Sequence, residues 1–280
     1  MKVRIVVDSV ADVTNAVSER LTVVPLNINF GDEQYIDGVN MTKSQFYEKL
    51  AGSGVLPTTS QPAPAAFEKV YEEAKLAGES LVVLTVSSKL SGTYQSAMIA
   101  AQEYPDNVFV VDTQHVALGE GVLAEYALQL ADSGMSAAEI AEAVEREKKN
   151  VCLFALVDTL EYLQRGGRVS KTVAFAGGLL SIKPLVCIKN GALEIAGKAR
   201  GRKQGNALLN REIELAGGID FSRPALVGYT GTSDELLKKY MADSREMWHG
   251  KEIDTTLLSG IVGTHAGPNA VVVSFFKEKR

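Results

Sequence analysis

Cysteine is nearly absent. The 280 residues contain two, Cys152 and Cys187, far apart and in no Cys-x-x-Cys pair. That argues against a disulfide framework and against a thiolate metal site. Buried free thiols in a reducing compartment are the expected reading. Histidine is almost as scarce. His115, His249 and His265 are dispersed, without the spacing by which one helix presents two imidazoles to a metal. No stretch approaches the roughly eighteen apolar residues of a membrane span. The opening "MKVRIVVDS" is too short for a signal-peptide core and lacks a cleavage pattern. A cytoplasmic protein without stable membrane insertion is expected. An excess of positive charge is also missing, and a net charge of −5 speaks against a nucleic-acid partner.

What is present suits a globular protein of one large or two modest domains: 46% hydrophobic and 22% charged residues. In the first half, apolar runs at 3–7, 23–30, 81–86 and 108–111 read as strands. Between and after them, 42–52, 64–78, 91–103, 121–133 and 137–149 read as helices. Thr42 with Gln45 forms a capping-box pattern, and Ser136 opens the last of these helices. Strands alternating with helices imply crossover units and a largely parallel, covered sheet. The second half reads differently. Strands are expected at 151–157, 185–189, 192–196, 225–229, 253–258 and 271–276, and helices at 159–166, 171–180, 205–216 and 234–248. Asn190–Gly191 is a strong hairpin signal. The pattern suggests α+β with a mixed or antiparallel sheet, and a domain division at 1–157 and 158–280.

Several chemistries fail on spacing. The pairs Gly197–Lys198 and Gly250–Lys251 lack both the upstream glycine and the following Ser or Thr of a phosphate-binding P-loop. "GEGVLA" at 119–124 matches a loose dinucleotide fingerprint, but follows a late strand and reads as a helix start. "KLSGT" puts Lys89 where a nucleophile elbow needs glycine. A Ser91 hydrolase is therefore a rival rather than the first reading, although one of the histidines could approach Ser91 in space. Asp8 and Asp12 of "DSVAD" read as an acidic helix start. Anion binding remains. A helix beginning near Ser91 offers free N–H groups and hydroxyl donors, and cap and anion site are equally consistent with that serine. A second hydroxyl cluster, "PTTSQP", holds Thr58, Thr59 and Ser60 in a loop expected to be rigid. "GTHAGPN" at 263–269 reads as a glycine-rich turn carrying His265. Two basic spots, around Arg165, Arg168 and Lys171 and around Lys198, Arg200, Arg202 and Lys203, read either as solvated charge or as a surface for a phosphate-bearing ligand or an acidic partner.

Taken in order, these segments resemble the DegV family of bacterial fatty-acid-binding proteins. The likeness covers "VDSVAD", "VVPLNINFGDEQYIDG", "PTTSQP", "VSSKLSGTYQSA", "VDTLEYLQRGGRVS", "LLSIKPLV", "NGALEIAGKARGRK" and "GTHAGPNAVVVSF". It implies a Rossmann-like N-terminal α/β domain and a C-terminal α/β domain with a mixed, mainly antiparallel sheet. It implies one long-chain fatty acid, its carboxylate bound by Thr59 and Ser91 near His265, its tail in an apolar tunnel. It further implies a separate fatty acid kinase, met through Arg168 and Arg200, that phosphorylates the carboxylate, with no cofactor, metal or catalytic group on this chain. One departure is Asn269, where the family usually has glycine. Asn tolerates the left-handed backbone better than most residues.

Overall fold

Three sheets organise the chain. The computed structural model describes residues 2–169 and 181–278, so the helix expected at 171–180 lies outside the described residues, as does Lys171. In chain order the strands are β1 (Lys2–Asp8), β2 (Thr22–Val24), β3 (Asn27–Phe30), β4 (Glu33–Ile36), β5 (Thr58–Ser60), β6 (Glu79–Thr85), β7 (Val108–Asp112), β8 (Val151–Leu156), β9 (Ile182–Lys189), β10 (Ala192–Arg200), β11 (Ala225–Tyr229), β12 (Asp254–Leu257) and β13 (Val271–Phe276). The helices are α1 (Asn15–Ser18), α2 (Lys43–Gly52), α3 (Pro64–Leu76), α4 (Thr93–Ala101), α5 (Leu118–Asp132), α6 (Ala137–Glu147), α7 (Glu161–Arg165), α8 (Gly201–Leu215), α9 (Glu235–Asp243) and α10 (Gly260–Ala266).

The first sheet is parallel, in the order β2-β1-β6-β7. Strand β6, "ESLVVLT", is buried along its whole length because helices cover both faces. Leu81 and Val83 pack with Phe67 and Tyr71 of α3. Their neighbours Val82 and Leu84 point the other way, toward α5 and α6. The second sheet runs β10-β9-β8-β13-β11-β12 and is antiparallel except for the β11–β12 pair. A small antiparallel sheet, β4-β3-β5, completes the set. The α/β architecture expected from the sequence is therefore present, with a parallel N-terminal sheet and a mixed, mainly antiparallel C-terminal one. One apolar core joins residues from both large sheets through α5. Strand β8 pairs with β9 and β13, so the passage from first sheet to second falls before Val151, upstream of position 157.

Local signals fare as their physics suggests. The capping box at Thr42 with Gln45 forms, and Ser136 opens its helix in a second box with Glu139. Asn190 and Gly191 both take positive φ in the β9–β10 turn. Other expectations need correction. The run at 23–30 is two strands in two sheets, broken at Pro25, which has no N–H to offer a ladder. "PTTSQP" is not merely a loop: Thr58–Ser60 form an edge strand on β3, where flanking prolines are tolerated. Helix α4 begins at Thr93, with Gly92 at its N-cap. Helix α5 begins at Leu118, so "GEGVLA" lies inside it. The helix expected at 234–248 breaks at Ser244 into α9 and a short 3-10 turn. The turn expected around His265 is the end of α10, capped by the Ser259 side chain on the Val262 N–H.

"DSVAD" does not start a helix either, since α1 begins at Asn15 after the Thr14 cap. Instead Asp8 is a fully buried anchor that accepts from the N–H groups of Val10 and Val86 at 2.9 and 2.8 Å. Asp12 accepts from Lys43 Nζ and the Ser259 N–H, each at 2.8 Å, and so ties the first sheet to the start of α10. Among the described residues, no helix is long and apolar enough to cross a membrane.

Candidate functional site

An apolar cavity lies between the C-terminal ends of β1 and β6 and one face of the mixed sheet. Its interior admits water-sized spheres over about 90 Å3, within about 740 Å3 of free space that includes the part open to solvent. One wall follows from strand periodicity. Leu153, Ala155 and Val157 project into it at every second position. The intervening Phe154 and Leu156 pack on the other face, in the core that holds Leu209 and Ile213 of α8. Pairing register puts Val272, Ala155 and Val186 in one row across β13, β8 and β9. Val10, Val86 and Leu90 close the opposite side, with Ile261, Val262 and Ala266 of α10 alongside.

Four polar side chains interrupt this lining: Thr59, Ser91, Arg168 and His265. Every other described lining residue is apolar. Thr59 is the middle residue of β5, and the period of two turns it inward while Thr58 and Ser60 are exposed. Its Oγ1 lies 2.9 Å from His265 Nε2. Burial, and after it the charge of Arg168, push the His265 imidazole down to about 4, so it is neutral near pH 7. His265 Nδ1 is buried and without a hydrogen-bond partner. An orphaned acceptor costs less than an orphaned N–H. The favoured tautomer therefore places the proton on Nε2, donating to Thr59 Oγ1. That leaves the threonine O–H free to donate onward.

Ser91 sits in the turn after β6, its N–H donating to the Ser87 carbonyl at 3.1 Å. Its Oγ accepts from the Thr93 N–H at 3.3 Å and lies 2.9 Å from Thr93 Oγ1. Cap-like bonding and cavity exposure thus coexist in one hydroxyl. Arg168 is half-buried. Its Nε donates to the Leu90 carbonyl at 3.1 Å and its Nη1 to the Gly166 carbonyl at 2.6 Å. The resemblance implies a kinase contact for Arg168 and Arg200; Arg168 also lines the cavity with the other three. Arg200 is not among the lining residues. It is exposed at the start of α8, where its N–H donates to Gln204 Oε1. Nearby Arg202 belongs to neither site: it and Lys183 both pair with Asp158 Oδ1, at 2.6 and 2.7 Å.

Two close approaches gather these groups, and neither was read from the sequence. Gln61 Nε2 donates to the Gly92 carbonyl at 3.2 Å and to Ser96 Oγ at 3.0 Å. A Cβ on Gly92 would stand 2.0 Å from Gln61 Oε1, so the glycine lets the two hydroxyl segments meet. A Cβ on Gly166 would stand 2.2 Å from His265 Nδ1, which explains a glycine where α7 ends against α10. The signals were there, in the Gln of "TSQP" and the Gly of "LSGT", but they concern residues 31 positions apart. Asn269 takes φ of +66° and keeps its turn, its N–H donating to the Thr230 carbonyl at 2.9 Å. Among the described residues, no cluster of three or more His, Cys, Asp or Glu could hold a metal ion.

Comparison with known proteins bears on this arrangement. A DegV domain-containing protein of Caldanaerobacter subterraneus subsp. tengcongensis is 34% identical over 281 residues, covering 99% of each chain. The solved structure of a fatty-acid-binding DegV family protein from Thermus thermophilus superposes with a TM-score of 0.87 at 32% identity, covering 99% of this chain and 100% of that one. The fatty acid kinase B3 protein of Streptococcus pneumoniae, solved loaded with linoleic acid, has a TM-score of 0.86 over 99% of this chain and 100% of its own. At 23% identity that likeness is one of fold. The family model described as "Uncharacterised protein, DegV family" matches residues 2–278, and with the whole fold and the ordered motifs in agreement, the chain belongs to the DegV family.

Proposed function

We propose that this chain binds one long-chain fatty acid between its parallel and mixed sheets and presents the carboxylate to a partner kinase for acyl-phosphate formation. The observation that carries the reading is an apolar cavity whose described polar groups are four side chains, two of them neutral hydroxyls. Thr59 and Ser91 donate to the carboxylate, with His265 orienting Thr59. The tail lies along Leu153, Ala155 and Val157. Burying an ionised carboxylate requires that its oxygens be hydrogen-bonded. Each buried methylene contributes roughly 0.8 kcal/mol, so a long tail supplies most of the affinity. Neutral donors satisfy the head group without locking it in an ion pair, which leaves an oxygen nucleophilic.

In the kinase step, a carboxylate oxygen attacks the terminal phosphorus of a nucleoside triphosphate held by the partner. The new O–P bond forms as the bond to the bridging oxygen breaks, and the nucleoside diphosphate leaves with that electron pair. This chain supplies no catalytic group. Arg200, exposed at the start of α8, serves as a partner contact, and Arg168 sits where the ligand head and the partner come closest. The contacts do not favour a Ser91 hydrolase, because Ser91 Oγ bonds within its own turn and His265 Nε2 is taken by Thr59.

Mass spectrometry of lipid extracted from the purified protein tests the reading. One fatty acid per chain is expected. A lipid-free protein with esterase activity that Ser91→Ala abolishes would replace it with the hydrolase, and recovery of a polar metabolite would replace it with a sensor.

A further inference from the structure

A second chamber adjoins the apolar cavity on its polar side, and Thr59, Arg168 and His265 line both. It holds about 630 Å3 of free space, counting the part open to solvent. Its chemistry differs from that of its neighbour. Thr58 and Arg165 join Arg168 on its walls, and none of its described lining residues is acidic.

An acyl phosphate differs from its parent acid at the head alone. It gains three phosphoryl oxygens and one negative charge. The carboxylate hydroxyls have little to give these. Each has a single O–H to donate, and on the reading above the carboxyl end of the ligand takes both. The rest of the first cavity is apolar apart from Arg168 and His265. Room and positive charge both lie next door, across a shared wall.

We propose, on the basis of the fatty-acid reading above, that this chamber is the subsite for the phosphoryl group of an acyl phosphate, with Arg165 as its main cation and Arg168 on its flank. Arg165 now pairs with Glu161 Oε1 at 2.6 Å, both side chains more than half exposed. Exposed pairs of this kind hold weakly. A phosphoryl group offers the guanidinium two parallel N–H···O bonds in a less solvated place, and displaces the glutamate. The two arginines stand three positions apart across the turn that ends α7. The chamber makes the protein a holder of product as well as of substrate.

The test compares two ligands of equal chain length, a fatty acid and the hydrolysis-resistant 2-oxoalkyl phosphonate that mimics its acyl phosphate. Affinities are measured by displacement of a fluorescent fatty acid. In Arg165→Gln, phosphonate affinity is expected to fall about ten-fold while fatty-acid affinity stays within about two-fold of wild type, and Arg165→Lys restores part of the loss. Arg165 is exposed, so an unchanged thermal midpoint confirms that the fold is retained. A phosphonate affinity unmoved in Arg165→Gln overturns the assignment, as does an equal loss for both ligands. If the fatty acid itself fails to bind wild type, the fatty-acid reading falls, and the chamber's assignment with it.

Discussion

Ala155→Leu should shorten the ligand this protein accepts. Ala155 is 6% exposed and lies in the cavity wall between Val272 and Val186, its partners across β13 and β8–β9 pairing. It is the smallest of the three residues in that row. Leucine adds three carbons, which occupy space that a tail would otherwise fill. At about 0.8 kcal/mol per methylene, a chain long enough to reach this row loses roughly 2.4 kcal/mol, a factor of about fifty in Kd. A chain about three carbons shorter avoids the added side chain and keeps its affinity. The extra volume enters a cavity rather than a filled core, so the fold itself should lose less than the ~1–3 kcal/mol typical of overpacking. The assay is a titration of wild type and variant with saturated fatty acids of increasing length. The expected signature is a crossover: equal affinity for short chains, divergence for long ones. A uniform loss at every length, or none at any, would refute the placement of the tail along β8.

Three further outcomes follow from the geometry. Ser91→Ala should weaken fatty-acid retention by about 1–3 kcal/mol with the thermal midpoint little changed, because the bonds it loses are local to its turn; unaltered occupancy would remove Ser91 from the clasp. Arg168→Ala should retain fatty acid but impair acyl-phosphate formation with the kinase, and a protein purified without lipid would instead make Arg168 a ligand-holding residue. His115 is buried, and that burial pushes its imidazole down to about 4 in the folded chain, against about 6.5 when unfolded. Between those values, as pH falls, the unfolded chain takes up a proton that the folded chain does not. Wild type should therefore lose stability relative to His115→Gln by about 1.4 kcal/mol per pH unit over that window, with a constant difference above about pH 7. Denaturant midpoints across the range check this, and a flat difference would contradict it.

The parts of the fold readable from sequence are those set by local chemistry. Thr42 with Gln45, Ser136 as a helix start and Asn190–Gly191 each act within four residues, and each forms the structure its pattern specifies. Strand β6 was readable because burial on both faces leaves a continuous apolar run. The small β3-β4-β5 sheet was not. Its strands are short and partly polar, and Thr58–Ser60 sits between prolines that read as loop. Helix α10 was hidden by its glycines. Gly260 and Gly263 make it look like a turn, yet they are what allow it to pack on Phe46 and Tyr47. The site lies further from local reach. Thr59 and His265 are 206 positions apart, and no periodicity links them. Resemblance to a family brought them together, while the residues that hold them in place, Gln61 against Gly92 and Gly166 against His265, emerge from tertiary contacts alone.

The most direct test of the neutral carboxylate clasp is a crystal structure of the protein with a fatty acid bound. The expected result is a carboxylate with oxygens within about 3 Å of both Thr59 Oγ1 and Ser91 Oγ, and a tail running past Ala155. A carboxylate ion-paired with Arg168 and out of reach of both hydroxyls, or a tail pointing toward His265, would contradict it.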